Sequence, residues 1–115
     1  MADLRPETAE GWVLDVACLR KYPRAEYAER ARAHTTACSV MGHCLESGYA
    51  LVDADGRVTL LDPKATAPVL DALRQSDRER GVWLRVRREP DDGALATADV
   101  REGSPPPSAT SSSDA

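Results

Sequence analysis

The sequence predicts an α+β domain carrying five short strands, and three observations predict it. Residues 11–18, GWVLDVAC, alternate in the two-residue period of a strand. In YALVDADGRVTLL, residues 49–61, two β-prone runs flank Asp55-Gly56, a pair suited to a tight hairpin turn. Two stretches dominated by helix formers, 23–47 and 62–81, separate the strand-like runs.

Taken in order, the first strand places Trp12, Leu14, Val16 and Cys18 on one face and Val13, Asp15 and Ala17 on the other. Cys18 should therefore emerge on the inner side at the strand's end. PRAEYAERARAHTTACSVMGHCLES then reads as helix, with Gly48 as its stop and Gly42 as a point where it can break in two. The start of this insert is basic, with Arg20, Lys21, Arg24, Arg30 and Arg32. After the hairpin, DPKATAPVLDALRQSDRERG reads as a second helix. Asp62 or Thr66 caps it, Pro68 fits only its first turn, and Gly81 ends it. Val69, Leu70 and Leu73 make its buried stripe. VWLRVRRE alternates again, placing Val82, Leu84 and Val86 inside and Trp83, Arg85 and Arg87 outside. The turn PDDG leads into a weaker last strand, ALATADV.

Five strands with a helix between the third and fourth is the order of a small OB-like β-barrel, with the helical insert between strands 1 and 2. An open α+β sheet of the same elements is the alternative. The single domain is expected over residues 11–101. Residues 1–10 are polar and expected to fray, and residues 102–115, with EGSPPPSATSSSDA, lack the large apolar side chains needed to fold. A core of this size, with no Phe and two Trp, is thin, and small domains often gain stability from a metal or a disulfide.

No signal-peptide pattern or membrane-length apolar run is visible, so a soluble cytoplasmic protein is expected, in which cysteines stay as thiols. The net charge of −4 gives no general attraction to nucleic acid or anionic lipid, and the outward aromatics are too few for a base-stacking platform. Arg85, Arg87 and Arg88 form a face on which a protein partner can dock.

The chemistry concentrates in HTTACSVMGHC, residues 34–44. On a continuous helix His34, Cys38 and Met41 fall on one face, Cys44 joins them if Gly42 bends the chain, and His43, on the opposite side, is the weaker additional ligand candidate. Cys18 is the long-range partner. Cys18, His34, Cys38 and Cys44 would form a Cys₃His set that suits zinc, while Met41 in place of a harder ligand would favour copper(I). Asp15 is expected on the solvent face; its functional alternative is an oxygen ligand or an orienting partner of His34. Against the metal reading stand an inert core, in which the sulfurs pack and His34 bonds a backbone carbonyl, and a thiol redox pair or disulfide. A Cys–His–Asp nucleophile has no recognisable oxyanion loop to support it, which makes an enzyme the weaker reading.

GWVLDVAC, HTTAC and CLESGYALVDADGRVTLL together resemble a largely uncharacterised group of small bacterial OB-like proteins. These combine a G-x-V-x-D-x-x-C strand with a downstream His/Cys helix. The resemblance covers about residues 11–100. It departs from the group in its longer His–Cys and Cys–Cys gaps and in the lack of a visible export signal. It implies one shared constellation of Cys18, His34, Cys38 and Cys44. The expected function is a small non-enzymatic metal-binding domain, with a protein-interaction module and a thiol redox protein as the alternatives.

Overall fold

A computed structural model of the protein describes residues 5–40, 42 and 46–106. Its fold is α+β: a five-stranded antiparallel sheet with helices against both faces. Strand β1 (Glu7–Asp15) is central and pairs with β2 (Tyr49–Val52) on one side and β4 (Trp83–Asp91) on the other. β3 (Val58–Leu60) and β5 (Ala94–Glu102) form the two edges, giving the order β3-β2-β1-β4-β5.

The expected strand count and class hold, but the sheet is open. A barrel has one inner face, whereas here Trp12, Val13, Leu14 and Asp15 are buried in succession, so β1 is covered on both sides. One face packs Val13, Tyr49, Leu51, Leu84 and Val86 on Val69 and Leu73 of helix α4 (Thr66–Gln75). The other packs Trp12, Leu14, Ala50, Val52 and Trp83 on Leu19 of α1 (Val16–Leu19) and Ala31 of α2 (Tyr27–Ala33). Trp83 is therefore not outward as its alternation with Arg85 and Arg87 suggested. It is 5% exposed, meets Trp12 edge-on at 5.1 Å, and donates its indole N–H to Glu10.

Gly11 has a packing reason. A Cβ there would lie 2.8 Å from both the backbone nitrogen and oxygen of Val52, so only glycine lets β1 approach β2 this closely. β1 also begins at Glu7, paired with Arg88, within the segment whose polarity suggested fraying.

Three segments depart from the expected elements. The strand stops at Asp15, whose extended backbone (φ −76°, ψ 148°) and carboxylate cap α1, so Cys18 is helical rather than at a strand's end. The long helix expected over 23–47 is broken. A 3₁₀ turn (Arg24–Glu26) leads into α2, then His34 and Thr35 are extended (ψ 135° and 146°) before α3 (Thr36–Ser39). The hydroxyl of Thr35 accepts the Cys38 N–H at 3.2 Å, a local cap that competes with helix continuation. The second helix ends at Gln75 rather than Gly81. Residues beyond it turn out to pair with the break: Thr36 N–H bonds Glu79 O, Gly81 N–H bonds His34 O, and Thr35 and Arg80 form an isolated bridge.

The hairpins match expectation. Asp53 accepts the N–H groups of Asp55 and Arg57 at 2.9 Å each, and Gly56 takes φ +85°. The β4–β5 turn is Asp92-Gly93, both with positive φ.

Asp62 caps the turn Pro63–Ala65 through Lys64 N–H and also accepts the N–H (3.0 Å) and hydroxyl (2.6 Å) of Thr97 on β5. Burial alone would raise its carboxyl, but these bonds outweigh burial and hold it below its ordinary value of 3.8. The carboxylate form therefore stabilises the fold above about pH 4, and that contribution is lost as pH falls through the lowered folded-state value. Asp62→Ala should cost about 1–2 kcal/mol at neutral pH. Urea unfolding of both proteins should show a full gap at neutral pH that shrinks as the pH is lowered below about 4. A gap that stays constant with pH would refute this assignment.

Candidate metal centre

Asp15, Cys18, His34 and Cys38 each offer one donor atom, and these atoms all lie within 4.8 Å of one another. Local structure assembles them in pairs. Asp15 caps α1 with one carboxylate oxygen, accepting the Cys18 N–H at 2.9 Å, which fixes the Asp15–Cys18 spacing by a single helical turn. Thr35 does the same for Cys38 on α3, and Tyr49 on β2 donates its hydroxyl to Ser39 O at 2.7 Å, holding the end of that turn inside the protein. His34 precedes α3 in extended backbone tied to Gly81.

The two pairs then meet. The other Asp15 oxygen lies 2.9 Å from His34 Nε2, and the Cys18 and Cys38 sulfurs are 3.8 Å apart. Asp15 is fully buried and the His34 side chain is 6% exposed. Cys18 is buried and Cys38 partly so. Burial pushes the Cys18 thiol far above its ordinary value. The hydrogen-bonded Asp15 carboxylate, and its charge, raise it further, and Cys38 adds to this. At neutral pH Cys18 is thus a protonated thiol unless a cation displaces the proton.

This cluster is a possible metal-binding site. It unites Cys18, His34 and Cys38, but not by the single helical face that the i, i+4 spacing suggested, because the chain is extended at His34. Asp15 is a correction: it was expected on the solvent face and is completely buried. His34 bonds this carboxylate rather than a backbone carbonyl. Met41, His43 and Cys44 lie outside the described residues.

Thr35, Tyr49 and Gly81 position the site and were not anticipated as doing so. One signal was nonetheless present: Thr35-Thr36 interrupts a run of helix formers with residues that favour caps.

On the β4 face the arginines have acidic neighbours: Arg85 with Glu10 at 3.6 Å, Arg88 with Glu7 at 3.2 Å, and Arg87 with Glu89. In the insert, Arg20, Lys21, Arg24 and Arg32 are exposed, while Arg30 pairs with Glu26 and stacks on Tyr22 at 4.8 Å. No helix among the described residues is long and apolar enough to cross a membrane.

No protein-family model matches the chain, and no curated protein or solved structure matches it either.

Proposed function

We propose that the protein is a small zinc-binding domain whose metal, held by Asp15, Cys18, His34 and Cys38, fastens the helical insert to the sheet. One observation carries this reading. The Cys18–Cys38 sulfur separation of 3.8 Å matches the edge of a tetrahedron, about 3.8 Å for Zn–S bonds of about 2.3 Å, and an imidazole nitrogen and a carboxylate oxygen lie within 4.8 Å, near enough to move onto the other two corners. Two thiolates, an imidazole and a carboxylate form a mixed set that zinc accepts. Copper(I) prefers softer sulfur-only surroundings. Four protein donors, mostly buried, leave no open position for a substrate, which supports a structural rather than a catalytic ion.

The raised Cys18 thiol also weighs against Cys18 as the thiol that meets an oxidant first, a role that needs a low-pKa thiolate. Zinc would deprotonate both thiols on binding and release protons. The ion ties the end of β1 to the His34–Cys38 segment, beside the backbone hydrogen bonds that join this segment to Glu79 and Gly81 and the Tyr49 hydroxyl on Ser39 O. A thin-cored domain gains most from such a clamp.

The test is elemental analysis of the purified chain, followed by substitution with cobalt(II), whose thiolate charge-transfer absorption counts bound sulfurs. A single zinc per chain, and a cobalt spectrum of two thiolates lost in Cys18→Ser and in Cys38→Ser, is the expected result. A spectrum that also weakens in Cys44→Ser would put a third thiolate where this reading puts Asp15. Failure to bind either metal would end the reading altogether.

A further inference from the structure

We propose that Cys18 and Cys38 are a reversible redox pair, which a peroxide joins in a disulfide with release of the metal. The release rests on the zinc reading above. The bridge rests only on the placement of the two thiols.

Three observations support the bridge. The sulfurs are in van der Waals contact at 3.8 Å, within about 2 Å of the bonded distance of about 2.05 Å. Both sit on short capped helices, Cys18 through Asp15 and Cys38 through Thr35, and the Tyr49–Ser39 and Asp15–His34 bonds tie these two elements together without using either sulfur. Their access differs: Cys18 is 7% exposed, whereas Cys38 is partly open to solvent. That asymmetry distinguishes the thiol that meets the oxidant from the one that resolves it.

The chemistry balances with hydrogen peroxide as oxidant. The Cys38 thiolate attacks one peroxide oxygen and the O–O bond breaks. With one proton taken up, this yields a sulfenic acid and a water. The Cys18 thiol then attacks the Cys38 sulfur. The S–S bond forms, the S–O bond breaks, and the departing hydroxide takes the Cys18 proton to become water. One thiolate, one thiol, one peroxide and one proton thus give one disulfide and two waters, the two electrons passing from sulfur to peroxide.

A disulfide sulfur is no longer a thiolate, so oxidation removes half of the donor set and leaves Asp15 and His34 alone, too few to retain zinc. The bridge would still close the chain between residues 18 and 38, the segment the ion clamps. The insert therefore stays attached while the metal departs, which is what makes the pair reversible.

The experiment treats the zinc-loaded full chain with hydrogen peroxide. A chromogenic chelator follows zinc, and non-reducing peptide mapping by mass spectrometry follows the sulfurs. The expected result is zinc release in step with the loss of two thiols, a Cys18–Cys38 linkage lighter by two hydrogens, and recovery of zinc binding after dithiothreitol. A metal-free sample is oxidised in parallel. If the chain never binds zinc, the same linkage there still supports the bridge, so the two readings fail separately. Cys44→Ser removes the third thiol and should leave the linkage intact. Unlinked sulfinic acid at Cys38, or a bridge to Cys44 in the wild-type chain, would overturn the proposal.

Discussion

Asp15→Ala should destabilise the metal-free protein by about 2–4 kcal/mol and weaken zinc binding at least about 100-fold. Two losses add in the metal-free state. The first is the cap on α1, an acceptor for the Cys18 N–H at 2.9 Å. Removing such a cap costs typically about 1 kcal/mol. The second is the partner of His34 Nε2, also at 2.9 Å, in a position where His34 is 6% exposed and has little water to turn to. A buried polar group left without its partner costs about 1–3 kcal/mol. Asp15→Asn separates the two roles. It retains an acceptor for the cap but has no charge to offer a cation, so its stability should lie nearer the wild type while its zinc affinity falls with the Ala variant. Urea unfolding with a chelator present, beside a zinc titration of each variant, measures both. A metal-free loss below about 1 kcal/mol for Asp15→Ala would mean that the buried carboxylate does not organise the site.

Gly81→Ala should be severely damaging for a single added methyl, costing about 2–4 kcal/mol. Gly81 has φ +67°, and a Cβ built there falls 2.5 Å from the backbone oxygen of Arg32. Its N–H meanwhile bonds His34 O, so the segment that must shift, the end of α2, is the one that presents His34 to the site. Gly56→Ala is the matched control. It has φ +85° but nothing within 4 Å of the added methyl, so it should show the backbone strain alone, about 1–2 kcal/mol. The difference between the two variants in urea unfolding measures the collision with Arg32. Zinc affinity should drop in Gly81→Ala and hold in Gly56→Ala, and equal affinities in the two would show that the 78–81 segment does not position His34.

Local rules carried the reading of the sequence a long way. Alternation identified the apolar parts of β1 and β4, Asp55-Gly56 marked the hairpin between β2 and β3, and Val69 and Leu73 marked the buried side of α4. These signals depend on periods of two and 3.6 residues or on a turn that only a few residue types accept, and each is complete within a few consecutive positions. The same holds for the chemical content of the site. Cys18, His34 and Cys38 stand out because sulfur and imidazole are rare in this chain, which has three cysteines and two histidines in 115 residues.

The tertiary structure decided what those residues do. Whether the sheet closes depends on the pairing of β3 and β5, and both are edges here because helices cover β1 from two sides. Burial of Asp15 and Trp83 follows from the same cause. A residue with the alternation of an exposed face becomes interior once the insert folds across it, and no short window of sequence contains that event. The break at His34 is likewise non-local. Thr35 supplies a cap, but the extended backbone is completed by hydrogen bonds to Glu79 and Gly81, more than forty residues along the chain. The residue types of the centre were thus set by the sequence. Their meeting within 4.8 Å was set by a sheet end, two one-turn helices and a distant glycine, because a binding site is defined by distances that close only when the whole chain has packed.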